Sequence, residues 1–293
     1  MQSSTNRWLA RVLHVLAAGI AANSLLGPLV TEVIEYRFSE TLINQAIGLD
    51  VVALFGAVPV AVLAAFLVRR SHPAGPVLAF IPTTFAAYMA PQYVVGPEYL
   101  DLPGNNEQFF LFHLGLFVIA VVGLVLSWAS VDRDSLRPAT RASDLRRAWV
   151  MLGVVAFIGI GRWLPALVEL PAGEPTIADF LATPTSYMLI GMLDLGLVVP
   201  AGVAAAIGLR RGVGWARTAA YAVIGWFALV PAAVAAMAIV MQLNEDPVAS
   251  TGLTTMFSVA AFVFIAGAVL LYRPMFRAGS WREDADERVL IHR

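Results

Sequence analysis

Cysteine and lysine are both absent from this chain of 293 residues. Without cysteine there can be no disulfide, no thiolate nucleophile and no cysteine-ligated zinc or iron–sulfur centre. Without lysine there is no phosphate-loop lysine and no Schiff base to retinal or to pyridoxal phosphate. These absences exclude several classes of enzyme, and a formal net charge of -1 indicates no nucleic-acid partner.

Charged residues are also scarce, at 13%, whereas 59% of the chain is hydrophobic and the mean hydropathy is +0.76. One globular core of ordinary composition cannot bury that much apolar surface. Because lipid cannot satisfy backbone polar groups, apolar runs of about 20 residues are expected to cross the bilayer as helices. We identify eight such runs, at 8–31, 46–68, 75–95, 108–130, 148–168, 186–209, 216–241 and 252–272. The predicted fold class is therefore all-α: a polytopic integral membrane protein with eight transmembrane helices.

The first run also resembles a signal peptide, since Arg7 and Arg11 precede an apolar stretch with small residues near Ala22. Its apolar character continues to Val30, which favours an uncleaved first helix. Cleavage would leave seven spans and an external N-terminus.

The arginines fall on alternate loops of this eight-span arrangement. Seventeen of the 19 lie on one face, the exceptions being Arg37 and Arg162, and the opposite loops are acidic. The positive-inside rule makes the arginine-rich face cytoplasmic. We therefore predict a multi-pass protein of the cell (plasma) membrane with both termini in the cytoplasm.

Spans two and six share a pattern that suggests an internal duplication. Pro59 stands ten residues before Arg69 in one, and Pro200 stands ten residues before Arg210 in the other. Four helices per copy would give a parallel 4+4 repeat, related by an axis along the membrane normal. The predicted divisions are a first four-helix half at 1–130, a charged cytoplasmic linker at 131–147, a second half at 148–272 and a cytoplasmic tail at 273–293.

Charged side chains within the spans are few, and each needs a partner or a role because burial of a charge in lipid is costly. Arg162 and Asp194 have comparable depths of roughly 10 Å from the outer surface, so they could pair. Asp50 lies higher and could act as a second counter-charge. The candidate ligand-binding residues all lie in the outer half: Arg162, Asp194, Asp50, His113, Gln92 and Tyr187.

Structural interpretations of the same residues remain open. The Arg162 and Asp194 pair could serve only as a buried clamp between the halves. Asp50 could be a solvated carboxylate near a helix start. Asn105, Asn106 and Glu107 could cap the fourth span or guard an external opening.

The two histidines within spans, His14 and His113, lie at opposite ends of the membrane by depth. A haem with two histidine ligands is therefore disfavoured, although one histidine with a methionine or another ligand stays an alternative. A metal site that joins His113 to Asp194 or Glu107 has no supporting motif spacing. We predict no metal site, and the cofactor stays unassigned.

Three functional interpretations follow. The first is a transporter, channel or ligand-binding membrane protein with an outward-facing polar cavity, which takes a small molecule or ion from the outer side. The second is a redox subunit that uses a haem or a quinone, and the third is a structural or assembly subunit. The lipid bilayer is the one partner common to all three, and the sequence leaves the oligomeric state open.

Overall fold

The computed structural model describes residues 2–136 and 140–291, and every regular element within those ranges is helical. In chain order the helices are α1 (Ser4–Leu26), α2 (Glu40–Arg69), α3 (Ala74–Leu78), α4 (Phe80–Met89), α5 (Gln92–Val95), α6 (Asn106–Ser130), α7 (Arg141–Ala172), α8 (Ala178–Ala182), α9 (Pro184–Arg211), α10 (Gly214–Leu243) and α11 (Thr251–Phe276). Helical backbone continues from α11 to Ile291. The all-α class is confirmed.

Seven of these helices are long and apolar enough to cross a membrane: α1, α2, α6, α7, α9, α10 and α11. Their outward faces carry large apolar side chains such as Phe55, Leu111 and Phe262, each about three-quarters exposed. Exposed apolar residues on this scale are unfavourable in water and favourable against lipid chains. The helices therefore indicate a multi-pass membrane protein.

The third predicted span is not one continuous helix, so eight spans are not confirmed. Helical geometry is interrupted at Ala79 and again at Ala90 and Pro91, which divides the run into α3, α4 and α5. Prolines cause this, because each one lacks a backbone donor and crowds the preceding turn. Thr83 and Thr84 place their hydroxyls on carbonyls one turn earlier, at 2.7 and 2.5 Å.

The interrupted segment 74–95 lies inside the helix bundle. Every residue of α3 is buried, and α4 packs between α6 and α10. It begins against the Arg69 end of α2, where Gly75 approaches the backbone of Val68 so closely that a Cβ would lie 2.6 Å from the amide nitrogen. The loop that follows α5 is hydrogen bonded to the loop that precedes α2, through Asn105 N–H to the carbonyl of Glu35 at 2.8 Å.

Three helices contain a stretch of wider π-helical turns, at Ala53–Ala57 in α2, Phe157–Arg162 in α7 and Asp194–Val198 in α9. In α2 and α9 the π-helical stretch is followed at once by a Val-Pro pair that restarts the α-helix, at Pro59 and Pro200. π-helical turns are frequent at functional sites. The candidate residues Arg162 and Asp194 both lie in them.

Helix α10 is the centre of the packing, in contact with α2, α4, α9 and α11. At its crossing with α2, Gly48 faces the backbone of Met237, and a Cβ there would lie 2.4 Å from the Met237 nitrogen. Near the arginine-rich end, Asp144 of α7 accepts from Arg217 of α10 at 2.7 Å. Side chains from both predicted halves therefore form one bundle.

Candidate functional site

Asp194 is the centre of a cluster built by three chain segments. Its Oδ1 accepts a hydrogen bond from the hydroxyl of Tyr88 in α4 at 2.6 Å, and its Oδ2 accepts from the indole Nε1 of Trp163 in α7 at 2.9 Å. The Nε of Arg162 lies 3.7 Å from the same Oδ2. Asp194, Trp163 and Tyr88 are all buried. The pairing of Arg162 with Asp194, which depth alone suggested, is therefore present in the structure.

The two charges of this pair differ in exposure. The Asp194 side chain is 7% exposed, whereas the Arg162 side chain is 49% exposed. The guanidinium lies 5.5 Å from the centre of the Trp163 ring, in a cation–π contact. Because a guanidinium has five N–H donors and about half of this side chain is exposed, donors remain that can bind an anionic group.

Tyr187 and Gln92 flank this cluster without bonding to the carboxylate. The Tyr187 ring packs on Trp163 with 4.9 Å between ring centres. The side-chain amide of Gln92 donates to the backbone carbonyl of Tyr88 at 3.2 Å and approaches the sulfur of Met89 at 3.4 Å. Gln92 therefore bridges the break between α4 and α5.

Asp50 is the centre of a second cluster and has no exposed surface. Its Oδ1 accepts from the Ser24 hydroxyl at 3.1 Å and from the Asn23 amide at 3.4 Å, both at the end of α1. Its Oδ2 has no hydrogen-bond partner among the described residues. The interpretation of Asp50 as a solvated carboxylate is wrong, because the end of α1 and the Tyr36 loop cover it.

His113 belongs to the Asp50 cluster. Its Nε2 lies 3.1 Å from the side-chain oxygen Oδ1 of Asn23, and its ring stacks on Tyr93 with 5.2 Å between ring centres. Tyr36 donates to the same Asn23 oxygen at 3.4 Å. His14 is exposed and contacts the carbonyl of Ala10 through Nδ1, so the two histidines have unrelated surroundings.

A small cavity of about 20 Å³ adjoins Asp50. Its polar lining is Asn23, Asp50 and Tyr93, and the rest is apolar. A space of this size holds about one water molecule. The candidate residues therefore form two separate clusters, one around Asp194 and one around Asp50, and the interrupted segment contributes Tyr88 to the first and Tyr93 to the second.

The loops beyond these clusters are tied together. Arg37 and Glu107 form a bidentate ion pair with bonds of 3.0 and 2.7 Å. The side chains of Asn105 and Asn106 accept from the backbone of Glu35 and Arg37 at 2.9 and 2.6 Å. No side-chain bond caps the start of α6 at Asn105, so the capping interpretation is wrong for this residue, and Asn105 and Asn106 join loops instead.

Asp246 completes this outer region, where it joins the loop after α10 to α2. Burial of its carboxylate alone would raise its pKa. Hydrogen bonds from Asn44, from the backbone of Val248 and from Thr41 outweigh that burial and hold the pKa of Asp246 below its ordinary value. The Asp246 carboxylate is therefore satisfied, unlike that of Asp50.

Tyr88 and Trp163 are the partners that sequence reasoning missed. Both are ordinary aromatic residues of apolar runs, and only the adjacency of Trp163 to Arg162 hinted at a role. No group of three or more histidine or acidic side chains that could hold a metal ion occurs among the described residues.

Comparison of this chain with protein-family models, with curated proteins and with solved structures finds no match. The class that the structure defines is thus a multi-pass α-helical membrane protein with two polar clusters inside its bundle. Any assignment of activity depends on the chemistry of those clusters.

Proposed function

We propose that this protein is a membrane transport protein for a small solute, with eight crossings in two related four-helix halves. Three observations support the proposal: carboxylates buried within long apolar helices, π-helical turns at Arg162 and Asp194, and an interrupted segment that contacts both clusters. Discontinuous helices that place polar groups within the membrane are typical of transporters.

The eighth crossing would be the interrupted segment 74–95. At about 1.5 Å per residue its 22 residues reach about 33 Å, enough for the hydrocarbon layer. It starts beside Val68 at one end of α2 and ends where the loop after α5 bonds to Glu35 and Arg37, near the other end of α2. Eight crossings would place both termini in the cytoplasm of the cell, as the arginine distribution requires.

The internal repeat receives support from the π-helical turns. Ala53–Ala57 and Asp194–Val198 hold the same position before Pro59 and Pro200, in the two helices whose sequences matched. In each half, the first helix also packs on the C-terminal part of the second, α1 on α2 and α7 on α9. A duplicated four-helix unit predicts both similarities.

The absence of cysteine allows a direct test of the crossing. Single Arg70→Cys and Leu100→Cys variants place one thiol on each side of the interrupted segment, at exposed positions. With a membrane-impermeant maleimide on intact cells, we expect Leu100→Cys to react and Arg70→Cys to react only after permeabilisation. Equal reaction of both thiols would show that segment 74–95 does not cross.

The solute site of this proposal is the outer edge of Arg162. The observation that carries it is the unequal exposure within the ion pair: Asp194 is held by Tyr88 and Trp163, whereas half of the Arg162 side chain is open. An arginine fixed by a buried carboxylate and an indole ring keeps its remaining donors for a carboxylate or phosphate group. The proposed solute is therefore a small anion or a molecule with an anionic group.

This site predicts the behaviour of an Arg162→Gln variant. Purified protein is heated in the presence of acetate, succinate, glutamate or inorganic phosphate, and the melting temperature is recorded. We expect at least one of these anions to raise the melting temperature of the original protein by about 2–4 °C, which corresponds to roughly 1 kcal/mol of binding linkage. The variant should lose that rise.

The matched control is Arg37→Gln, because Arg37 is also an outer-side arginine but donates through Nε and Nη2 to Glu107 and through Nη1 to the carbonyl of Leu102. Its response to the anions should equal that of the original protein. The stabilising anion is then tested for uptake into proteoliposomes. An Arg162→Gln variant that folds, and that keeps both anion stabilisation and uptake, would contradict this site.

A structural role is the second candidate, and one observation favours it. The Asp194 carboxylate joins α4, α7 and α9 through Tyr88, Trp163 and Arg162. Such a junction holds the predicted halves together without any solute. In this case Arg162→Gln would lower stability while no anion affected either protein.

A further inference from the structure

The environment of Asp50 differs from that of the other carboxylates inside the bundle. Its side chain is fully buried, and both its hydrogen bonds come from neutral groups of Asn23 and Ser24. Across the residues that the structure describes, no arginine forms an ion pair with it. Asp194, by contrast, has Arg162 beside it.

An isolated carboxylate in an apolar interior is costly, and the cost disappears when one positive charge joins it. The titratable groups that face Asp50 are Tyr36, Tyr93 and His113. At neutral pH the tyrosines carry no charge, and the imidazole already contacts Asn23 through Nε2. With a neutral His113 ring, whose Nδ1 has no hydrogen-bond partner among the described residues, the neutralising charge comes from outside the protein.

The space at Asp50 limits what that charge can be. The cavity of about 20 Å³ holds one water-sized particle and no organic solute. One carboxylate balances one positive charge, so a divalent ion would leave a net charge buried. The oxygens of Asp50, Asn23, Ser24 and Tyr36 are hard donors, which suit a proton or an alkali cation rather than a transition metal.

Gly27 closes the cluster on the side of the unpartnered oxygen. A Cβ at this position would lie 3.2 Å from Asp50 Oδ2, 3.2 Å from the Tyr36 hydroxyl and 3.1 Å from the backbone carbonyl oxygen of Asn23. Only glycine leaves these three oxygens their present spacing. The end of α1 therefore fits around the carboxylate, with Gly27 directly after the helix.

We propose that Asp50 is the binding site of a single monovalent cation, a proton or Na⁺, with Asn23, Ser24 and Tyr36 as its polar surroundings. If the cation is a proton, it forms an O–H bond with the carboxylate and is later returned to water. If it is Na⁺, the carboxylate binds it through oxygen without any covalent change. The inference deepens the proposed transport function, because it names the ion that would accompany the solute.

The test measures cation binding on the purified full-length protein, without a transport assay. Melting temperatures are recorded against NaCl, with choline chloride to keep the ionic strength constant, and separately against pH at zero Na⁺. The original protein should gain about 2–4 °C with rising Na⁺ if Na⁺ binds, or with falling pH if the proton binds. The Asp50→Asn variant should lose whichever response is present.

The matched control is Asp246→Asn, which alters an outer carboxylate that already has three hydrogen bonds. Its response to Na⁺ should equal that of the original protein, and so should its response to pH above about pH 5, because the lowered pKa of Asp246 affects stability only at more acidic pH. A cation response that persists in Asp50→Asn overturns the proposal. If the same response is lost in His113→Gln, the cation site is at the imidazole instead. An original protein that responds to neither cation also overturns the proposal.

A second variant covers the case in which Asp50→Asn does not fold. Ser24→Ala keeps the carboxylate and removes one of its two hydrogen bonds, so it should change the midpoint of the cation response at least severalfold. An unchanged midpoint contradicts the site. Failure of the Arg162→Gln test with a normal cation response at Asp50 would reject the solute site alone, and the reverse result would reject the cation site alone.

Discussion

Replacement of Asp194 by alanine is expected to destabilise the protein by about 2–5 kcal/mol, because two buried donors lose their shared carboxylate acceptor. The Tyr88 hydroxyl and the Trp163 indole N–H would each lose an acceptor inside the bundle. Buried donors without acceptors are costly because no water can replace the bond. Equilibrium unfolding in mixed detergent micelles with increasing SDS measures the loss.

Two tyrosine variants serve as comparisons for the stability loss of Asp194→Ala. Tyr88→Phe removes one hydrogen bond to the Asp194 carboxylate, for a loss of about 1.5–3 kcal/mol. Tyr187→Phe keeps its ring contact with Trp163 and removes a hydroxyl that does not bond to Asp194, so it should change stability by less than about 0.5 kcal/mol. If Asp194→Ala is no less stable than Tyr187→Phe, the cluster does not stabilise the fold.

Addition of a single methyl group at Gly48 is the second substitution that should strongly lower the stability of the protein. Its Cβ would lie 2.4 Å from the backbone nitrogen of Met237 and 2.5 Å from the Met237 Cα, at the crossing of α2 and α10. Backbone atoms cannot rotate away as a side chain can, so the helices must separate. We expect Gly48→Ala to cost about 3 kcal/mol or more, the upper part of the range for overpacked sites, with a matching fall in folded yield.

Gly115→Ala is the control for this substitution. Gly115 is likewise within a long helix, but apart from its chain neighbours and the backbone of its own helix, no atom lies within 4 Å of the position that its Cβ would take. Alanine favours helix over glycine, so stability should stay the same or rise by up to about 1 kcal/mol. Equal stability of the two variants would mean that α2 and α10 do not cross at Gly48. The melting temperature measures the stability of each variant, and the monodisperse fraction after purification measures its folded yield.

Sequence reasoning identified most of the helices because length and apolar character are sufficient for that purpose. Seven of the eight predicted runs match long helices, with ends that differ by several residues; the first helix, for example, ends at Leu26. The run at 75–95 fails as a single helix because a hydropathy window averages over proline. Pro82 and Pro91 decide the continuity of that run, and packing against α6 and α10 then buries it.

The sequence predicted the depth of the candidate site residues in the membrane, but not the direction in which each side chain leaves its helix. Similar depths suggested that Arg162 and Asp194 meet, which they do at 3.7 Å. Depth also grouped Asp50 and His113 with them, whereas the structure gives these two a separate cluster around Asn23. Which face of a helix meets its neighbour depends on tertiary packing, which no single helix sequence contains.

The break at Ala90 and Pro91 has a mechanical consequence for the two clusters. Tyr88, which bonds to Asp194, lies before the break, and Tyr93, which lines the cavity at Asp50, lies after it. Because Pro91 offers no N–H to the preceding turn, the helical hydrogen bonding is interrupted there, and the Gln92 amide bonds to the Tyr88 carbonyl across the break. Only five residues separate Tyr88 from Tyr93, so a displacement of this segment at the Asp194 cluster would also move the lining of the cavity at Asp50.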